Sequence, residues 1–483
     1  MSKSLLKLFQ IYIFVYAFLF ASRPISDEDF WFHLKTGQYI FATGSIPRTE
    51  LFSFTFPGIP WVAHGWLSGV MFYAVYSVAG LKPLIFIFAL LTAIAFWIAF
   101  KRANSHPFFA GLALLLAVWT ALPNLGVRPR VFTILLASIY LALLGRFARG
   151  VKERAIWLLV PLLALWANLH GGFFIGLALI ALTAVGMVVD RWAGVLEEPE
   201  SLRSRLRTLA LVFGACVLAG LVNPYGIKLY MAPIIVLRSP VFQNVVDDWL
   251  SPNFHLPSGR PLLLLILLTT AVLALVPRRP KPSEVLLFLA TLYATLKTQR
   301  NAVILALVSA PLLATYFQIW FASTRFGRSF GSTRSGWNPR FALLVGIGLL
   351  MPLIALAVRL KSTAYGTTTQ EIINVPVNAV EYMKQNGISG NTFTAPNVWG
   401  AYVFWATPNN PVYIDGRDVY PDTFVKEFVE ITRGLKDWKG PFDQRGVQIV
   451  LLEPNSLLTR QLGDAPGWER VYQDEMSVVF RRR

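Results

Sequence analysis

Three consecutive acidic residues, Asp27, Glu28 and Asp29, follow directly after the first apolar segment of the chain, and His33 comes four positions after Asp29. Side chains four residues apart share one face of a helix, so Asp29 and His33 could flank a reacting group or a metal ion together. A carboxylate can also take a proton from a hydroxyl group as a general base. The alternative is structural, because acidic residues favour the N-terminus of a helix and Asp27 suits such a cap equally well.

Further polar residues lie at the ends of apolar segments, where charge is costly to bury and therefore informative. Arg128 and Arg130 flank Pro129, and Arg300 begins another apolar run. A guanidinium group can bind a phosphate through two parallel hydrogen bonds. The alternative is that these arginines extend toward lipid headgroups without a specific ligand. The hypothesis is that the three arginines contact the phosphate of a lipid.

His170 precedes the pair Gly171-Gly172, which would let the backbone approach a ligand closely, although a histidine at such a position can equally be structural. These polar residues all map to the same side of the membrane in the topology given below. The candidate residues for substrate or phosphate binding are Glu28, His33, His64, Arg128, Arg130, His170 and Arg300.

The composition indicates what kind of protein carries these residues. The 483 residues are 55% hydrophobic and only 14% charged, and the mean hydropathy is +0.53. Because soluble domains carry about 25% charged residues, we expect an integral membrane protein rather than a soluble or disordered chain. The single cysteine, Cys216, excludes an intramolecular disulfide and a cysteine-rich metal site.

Apolar runs long enough to cross a bilayer predict about eleven membrane-spanning helices. They lie near residues 4–22, 82–100, 106–122, 130–145, 155–170, 172–190, 208–222, 261–277, 283–298, 301–320 and 341–359. Basic clusters at 146–154, 203–207 and 278–281 fall in alternate loops, which places the N-terminus in the cytoplasm. The net charge of +18 is thereby explained without a nucleic-acid partner.

The first apolar run is interpreted as a helix rather than a cleaved signal peptide, since Ala-Ser-Arg-Pro at 21–24 is a poor cleavage site. The first outer loop, 23–81, contains the amphipathic segment 62–79. We expect that segment to lie along the outer surface, because a crossing there would turn the later basic clusters outward. The transmembrane domain is predicted to span residues 1–360.

After residue 365 the composition becomes that of a soluble domain, with turn signals such as Asn386-Gly387 and Asp415-Gly416 between short periodic segments. The predicted elements are helix 376–385, strand 391–395, an apolar segment 398–406, strand 411–415, helix 422–434, strand 447–452, helix 456–463 and a hairpin over 469–481. This alternation predicts a small α/β domain over 365–483, outside the membrane.

The sequence lacks the motifs that are typical of several other classes of function. It contains no phosphate-binding GxxxxGK[ST] loop and no GxSxG nucleophile elbow, which disfavours ATP-driven transport and serine hydrolysis. Few acidic residues lie within the apolar runs, and an ion-coupled transporter would normally carry carboxylates near the bilayer midplane.

The order of these parts resembles the GT-C superfamily of membrane glycosyltransferases. The matching pieces are Asp27-Glu28-Asp29 after the first helix, the amphipathic segment 62–79, and the soluble domain 365–483. The segment Asn397-Val398-Trp399-Gly400-Ala401-Tyr402 is similar to the acceptor-binding motif of oligosaccharyltransferases but lacks the tandem Trp-Trp-Asp. The following segment, Tyr413 to Asp418, is interpreted as an exposed charged loop that either helps to bind an acceptor or is simply an Asp-Gly turn.

The resemblance implies transfer of a sugar from a polyprenyl-phosphate donor to a lipid, glycan or protein acceptor at the outer face of the plasma membrane, with inversion at the anomeric carbon. By the same resemblance, Asp27 or Asp29 is the general base, and a divalent cation such as Mg²⁺ or Mn²⁺, held by Asp27, Asp29 and His33, is sometimes required. The phosphate-binding role of the arginines comes from their placement and not from the family.

The sequence is also compatible with two other functions. One is a non-catalytic assembly or lipid-binding subunit that keeps the scaffold, and the other is a polysaccharide ligase or a translocase of lipid-linked glycans.

Overall fold

The computed structural model describes residues 3–27, 29–195, 199–245, 247–325, 327 and 372–483. The chain divides into two compact units. The first, here called the helical unit, comprises Met1–Arg23, Leu84–Asn223 and Asp247–Glu371. The second, the mixed unit, comprises Pro24–Pro83, Pro224–Val246 and Ile372–Arg483.

Up to residue 325 the described chain is built mainly from helices. These are α1 (Lys3–Ala21), α2 (Asp29–Thr43), α3 (Trp66–Ala79), α4 (Leu81–Arg102), α5 (Pro107–Ala121), α6 (Arg130–Ala148), α7 (Leu159–Leu169), α8 (Phe174–Trp192), α9 (Pro199–Ala219), α10 (Lys228–Arg238), α11 (Pro240–Val245), α12 (Arg260–Leu275), α13 (Pro282–Lys297) and α14 (Ala302–Ser323). Every predicted span within the described residues coincides with a helix. The predicted span 341–359 lies outside those residues.

Five stretches of the described chain are both long enough and apolar enough to cross a membrane. They are Leu81–Arg102, Pro107–Asn124, Arg130–Ala148, Gly171–Trp192 and Gln299–Ser323. The helices Gln10–Ala21, Trp66–Ala79 and Arg260–Leu275 are apolar but shorter. The predicted count of about eleven crossings therefore stays a prediction.

Helix α14 is the central element of the helical unit. Its residues are buried without interruption from Ala302 to Ala314, and it packs against α5, α12 and α13. A helix that is apolar on all sides is stable only when other helices surround it. On α8, Asp190 accepts hydrogen bonds from the Ser283 backbone N–H at 2.8 Å and from the Ser283 hydroxyl at 2.6 Å, which fixes the start of α13.

The mixed unit contains a four-stranded sheet with strand order β1-β2-β4-β3. The strands are β1 (Thr392–Ala395), β2 (Ile449–Leu452), β3 (Trp468–Gln473) and β4 (Val478–Arg482). Strand β1 pairs with β2 in parallel, whereas β2 with β4 and β3 with β4 are antiparallel. The remaining described helices are α15 (Val377–Gln385), α16 (Trp399–Ala406), α17 (Asp422–Thr432), α18 (Lys439–Gln444) and α19 (Leu457–Gly463). The expected mixture of helices and strands is confirmed.

Two sequence predictions in this region differ from the structure. The segment 411–415 is not a strand, and its Val412 makes only isolated bridges with Ser53 and Thr392. Pro411 cannot donate a ladder hydrogen bond, and the chain turns away at Asp415. Helix α18 was not predicted, because its six residues include a glycine and a proline, the two poorest helix formers. The predicted boundary at 360–365 lies outside the described residues and stays a prediction.

Candidate functional site

Helix α2 begins at the acidic motif. The Asp27 side-chain Oδ1 accepts a hydrogen bond from the Asp29 backbone N–H at 3.1 Å, and the Phe30 N–H donates to the Asp27 carbonyl oxygen at 3.2 Å. Asp27 therefore serves the start of the helix, as one of its two interpretations supposed. Glu28 lies outside the described residues.

Asp29, the first residue of α2, lies beside Gly416. A Cβ atom built on Gly416 would stand 3.1 Å from Asp29 Oδ1, which is tighter than ordinary van der Waals contact. The acidic motif and the segment from Tyr413 to Asp418 therefore meet within the mixed unit, although hundreds of residues separate them in sequence.

His33 lies one turn after Asp29 and is 7% exposed. Its ring centroid is 4.1 Å from that of Phe32, and a Cβ on Gly65 would stand 2.6 Å from His33 Cε1. Burial, with a smaller contribution from the charge of His64, holds the pKa of His33 well below its usual value. His33 is therefore neutral at pH 7.

A narrow pocket opens beside α2, with a cavity volume of about 10 Å³, room for about one water molecule. Two candidate residues, His33 and His64, lie in its wall. The pocket is lined by Phe32, His33, Thr36, Trp61, Ala63, His64, Gly65, Trp66, Arg417 and Asp418. We call it the α2 pocket.

Arg417, in the wall of the α2 pocket, belongs to a buried ion cluster. Its Nε donates to Asp415 Oδ1 at 2.8 Å and its Nη2 to Asp415 Oδ2 at 2.6 Å, and Nη2 also pairs with Glu50. The guanidinium carbon lies 4.9 Å from the Phe52 ring centroid and 4.7 Å from that of Trp61. Burial alone would lower the pKa of Arg417, but the charges of Asp415 and Glu50 hold it well above its usual value.

Glu50 is fixed independently of Arg417. Its carboxylate accepts the Phe52 N–H at 2.7 Å, the Ser53 N–H at 3.0 Å and the Ser53 hydroxyl at 3.0 Å. The interpretation of Tyr413 to Asp418 as an exposed charged loop was therefore wrong for two of its three charged residues, since Asp415 is 1% and Arg417 3% exposed. Their charges can be buried because each is paired and hydrogen-bonded. Asp418 is exposed, as expected.

The three candidate arginines occur in the helical unit and converge on one carboxylate. Arg130 pairs with Asp248 and donates to Asn124 Oδ1 at 2.6 Å, while the Arg300 guanidinium lies 4.4 Å from the Trp249 ring centroid. Burial alone would raise the pKa of Asp248, but the charges of Arg130, Arg128 and Arg300 hold it well below its usual value.

Asp248 was not predicted as part of this group. No local pattern in the sequence links Asp248 to Arg130, 118 positions earlier, or to Arg300, which follows it in the chain. Among the described side chains, this group, here called the arginine cluster, holds three arginines and one carboxylate, that of Asp248.

His170 stands at the break between α7 and α8. Its Nδ1 accepts a hydrogen bond from the Gly172 N–H at 3.0 Å and lies 2.8 Å from the Thr133 hydroxyl oxygen, which in turn accepts from Trp166 Nε1 at 2.8 Å. A Cβ on Gly172 would stand 2.5 Å from Thr133 Oγ1, so glycine is needed for packing at this point. His170 therefore caps the backbone at the break between α7 and α8 by accepting the hydrogen bond of the Gly172 N–H.

Among the described residues, no group of three or more His, Cys, Asp or Glu side chains is arranged to hold a metal ion. Asp27, Asp29 and His33 do not form one, since Asp27 faces the helix start and the His33 ring is packed among aromatic side chains. A requirement for Mg²⁺ or Mn²⁺ stays a prediction.

No known protein family and no curated protein matches the chain. Solved structures do. The oligosaccharyltransferase of Archaeoglobus fulgidus in its apo form matches with a TM-score of 0.60 and 13% identity over 92% of this chain and 69% of its own. The same enzyme tethered to an acceptor peptide containing the NVT sequon matches with a TM-score of 0.60 and 12% identity, over 92% and 68%.

The arabinofuranosyltransferase AftD from Mycobacteria matches with a TM-score of 0.55 and 15% identity over 100% of this chain. The chain spans 42% of the length of that enzyme. Both enzymes are GT-C membrane glycosyltransferases. This chain therefore shares the fold of these two enzymes, which confirms the resemblance for the fold. Sequence identities of 12%, 13% and 15% support a shared fold and nothing beyond it.

Proposed function

We propose that this chain is a glycosyltransferase that moves a sugar from a polyprenyl-phosphate-linked donor to a lipid, glycan or protein acceptor at the outer face of the plasma membrane. The observation that carries the proposal is the arginine cluster, because a group of guanidinium side chains suits the phosphate of such a donor. The GT-C fold supports the same reaction class, since the solved structures that share it are named for glycosyl transfer.

The arginine cluster would bind the donor phosphate and stabilise the negative charge that the phosphate gains as it leaves. Arg130 is held by Asn124 and Asp248, so its orientation is fixed before a ligand arrives. Fixed positive groups stabilise developing charge without having to reorganise during the reaction. Arg128 and Arg300 would supply further donors, and paired N–H groups match phosphate oxygens well.

Asp29 is the favoured general base. Asp27 accepts the hydrogen bond at the helix start, whereas the Asp29 carboxylate lies against Gly416. In the proposed reaction the acceptor hydroxyl gives its proton to Asp29 as its oxygen attacks the anomeric carbon. The bond from that carbon to the phosphate oxygen breaks, the polyprenyl phosphate leaves with the electron pair, and the configuration at the carbon inverts.

The proposal includes the full predicted topology of eleven crossings, a cytoplasmic N-terminus and an extracytoplasmic α/β domain. It can be tested by replacing Cys216 with alanine and adding single cysteines. In the variant Asp464→Cys the new thiol should react with a membrane-impermeant maleimide on intact cells. In the variant Arg207→Cys it should react only after the cells are lysed. The reverse pattern would invert the topology.

Sugar transfer from a panel of radiolabelled polyprenyl-phosphate sugars, measured in membranes containing the chain, tests the activity. We expect transfer with the wild type, loss in the double variant Asp27→Ala/Asp29→Ala, and retention in Asp464→Ala, which alters an exposed aspartate elsewhere in the mixed unit. Equal transfer in the wild type and the double variant would refute the proposed site. Binding of polyprenyl phosphate without transfer of any sugar would favour a non-catalytic lipid-binding subunit.

A further inference from the structure

We propose that the α2 pocket binds a sugar ring of a carbohydrate acceptor and takes one of its hydroxyl groups inside. The inference rests on the proposed function, because it names the acceptor class for the same reaction. Four observations, on hydrogen bonding, charge, aromatic lining and rigidity, lead to it.

The first observation is an incomplete set of hydrogen bonds on Arg417. Its side chain is 1% exposed, yet Nη1 has no hydrogen-bond partner in the described part of the chain, whereas Nε and Nη2 are both used. A buried charged donor without a partner is costly, so such groups call for an explanation. Because Arg417 lines the pocket, an oxygen atom entering there is the natural partner.

The charge around the pocket determines whether this oxygen atom belongs to an anionic group or to a neutral hydroxyl. The positive charge of Arg417 is already matched by Asp415 and Glu50, and the exposed Asp418 adds another carboxylate to the wall. His33 is neutral at pH 7 because its pKa is lowered. A phosphate or carboxylate would therefore meet net negative charge, whereas a neutral hydroxyl can accept from Arg417 and donate to Asp418.

The lining of the pocket suits the remainder of a sugar ring. Phe32, Trp61 and Trp66 supply aromatic surface around a few polar groups, and this combination characterises sites for small organic ligands. Aromatic rings offer a large apolar face, and tryptophan also provides one N–H donor. A cavity of about 10 Å³ admits one hydroxyl group, so the ring itself would rest on the partly exposed lining residues Trp66 and His64.

The walls are rigid enough to select a shape. Gly65 packs so closely on His33 that no side chain fits between them. Trp61 is held by its contact with the Arg417 guanidinium, which Glu50 and Asp415 fix in turn. A preformed site loses little freedom when its ligand binds.

Saturation-transfer NMR tests the inference on the full chain in lipid nanodiscs, without a donor. The probes are millimolar methyl β-D-glucopyranoside, methyl α-D-mannopyranoside, methyl β-D-galactopyranoside and methyl α-D-arabinofuranoside. We expect transfer of saturation to the ring protons of at least one glycoside. That signal should fall about fivefold or more in Trp66→Ala and in Asp418→Asn, since a hydrogen bond to a charged group changes affinity by about tenfold.

Two matched controls remove the same residue types outside the pocket. Trp405→Ala removes another partly exposed tryptophan of the mixed unit, and Asp464→Asn another exposed aspartate, and both should keep the full signal. Thermal unfolding of all four variants near the wild-type temperature ensures that a lost signal reports binding.

The inference would be overturned if no glycoside gave a signal, or if the pocket variants and the control variants gave equal signals. It would also be overturned if an Asn-Val-Thr peptide displaced a bound glycoside and the binding of that peptide itself depended on Trp66. Because no donor is present, failure of this inference is distinguishable from failure of the proposed function. Sugar transfer with unaltered acceptor KM in Trp66→Ala would reject the pocket and keep the transferase, whereas glycoside binding without any transfer would keep the pocket and reject the transferase.

Discussion

The arginine cluster of the helical unit and the Arg417 cluster of the mixed unit use the same residue types in opposite proportions. In the first, three arginines surround Asp248, whose side chain is 36% exposed. In the second, one arginine lies between Asp415 and Glu50, and all three side chains are at most 1% exposed. A group of described side chains in which arginines outnumber carboxylates, with a partly exposed aspartate, suits a charged ligand, whereas balanced and buried charge suits a structural role. The ratio of charges and their exposure therefore separate a site for a charged ligand from a cluster that stabilises the fold and offers a ligand only the neutral-hydroxyl contact proposed at Arg417.

The largest effect is expected when the balanced cluster loses its cation. Arg417→Met leaves Asp415 and Glu50 as unpaired buried carboxylates, which should lower the free energy of unfolding by about 3–5 kcal/mol. Denaturant unfolding of the purified chain in detergent measures this. Arg433→Met, which alters an exposed arginine, is the control and should stay within about 0.5 kcal/mol of wild type. A similar stability for both variants would mean that the Arg417 cluster is not structural.

The arginine cluster should show the opposite behaviour, a loss of activity with little loss of stability. Arg128→Gln/Arg300→Gln removes two of its three guanidinium groups while Arg130 still pairs with Asp248, so kcat/KM for the donor should fall about 100-fold. Steady-state transfer kinetics and thermal unfolding separate the two effects. Arg207→Gln, a change in a basic segment predicted to be cytoplasmic, should leave both unchanged. Unaltered kinetics in the double variant would show that these arginines do not bind the donor.

A pH effect is expected from His33. Because its pKa is lower in the folded chain than the value of about 6.5 in an unfolded one, the unfolded chain binds an extra proton between those two pKa values. Stability should therefore fall as the pH drops below about 6.5, by up to about 1.4 kcal/mol per pH unit. Unfolding at pH 7.5 and 5.5 should show this loss in the wild type and in the control His255→Gln, and a smaller loss in His33→Gln. Equal pH dependence in all three chains would contradict it.

The smallest effect is expected at Gly416. A methyl group there would meet Asp29 Oδ1 at 3.1 Å, so Gly416→Ala should displace the carboxylate by a few tenths of an ångström. Because proton transfer depends on geometry, transfer should slow by about three- to tenfold with little change in stability. Gly440→Ala, where a Cβ meets nothing within 4 Å, is the control for transfer assays. A wild-type rate in Gly416→Ala would argue against Asp29 as the base.

The helices were predictable because an apolar run of sufficient length carries its own signal, and α4, α6 and α14 all lie where such runs occur. Most elements after residue 372 followed from periodicity and turn residues in the same way. Glu50 and Arg417 gave no comparable signal, since the two residues lie 367 positions apart and their burial depends on tertiary packing. Asp248 escaped prediction for the same reason, whereas Arg128, Arg130 and Arg300 were found because charge beside an apolar run is unusual in itself.

In the proposed reaction Asp29 accepts the proton of the acceptor, while Asp27 serves the start of α2. Transfer of radiolabelled sugar from the polyprenyl-phosphate donor, compared at saturating substrate in Asp29→Asn and Asp27→Asn, tests it most directly. We expect Asp29→Asn to lose at least about 100-fold in kcat, the scale of general-base catalysis, and Asp27→Asn to lose about tenfold or less. Wild-type turnover in Asp29→Asn, or a larger loss in Asp27→Asn, would contradict it.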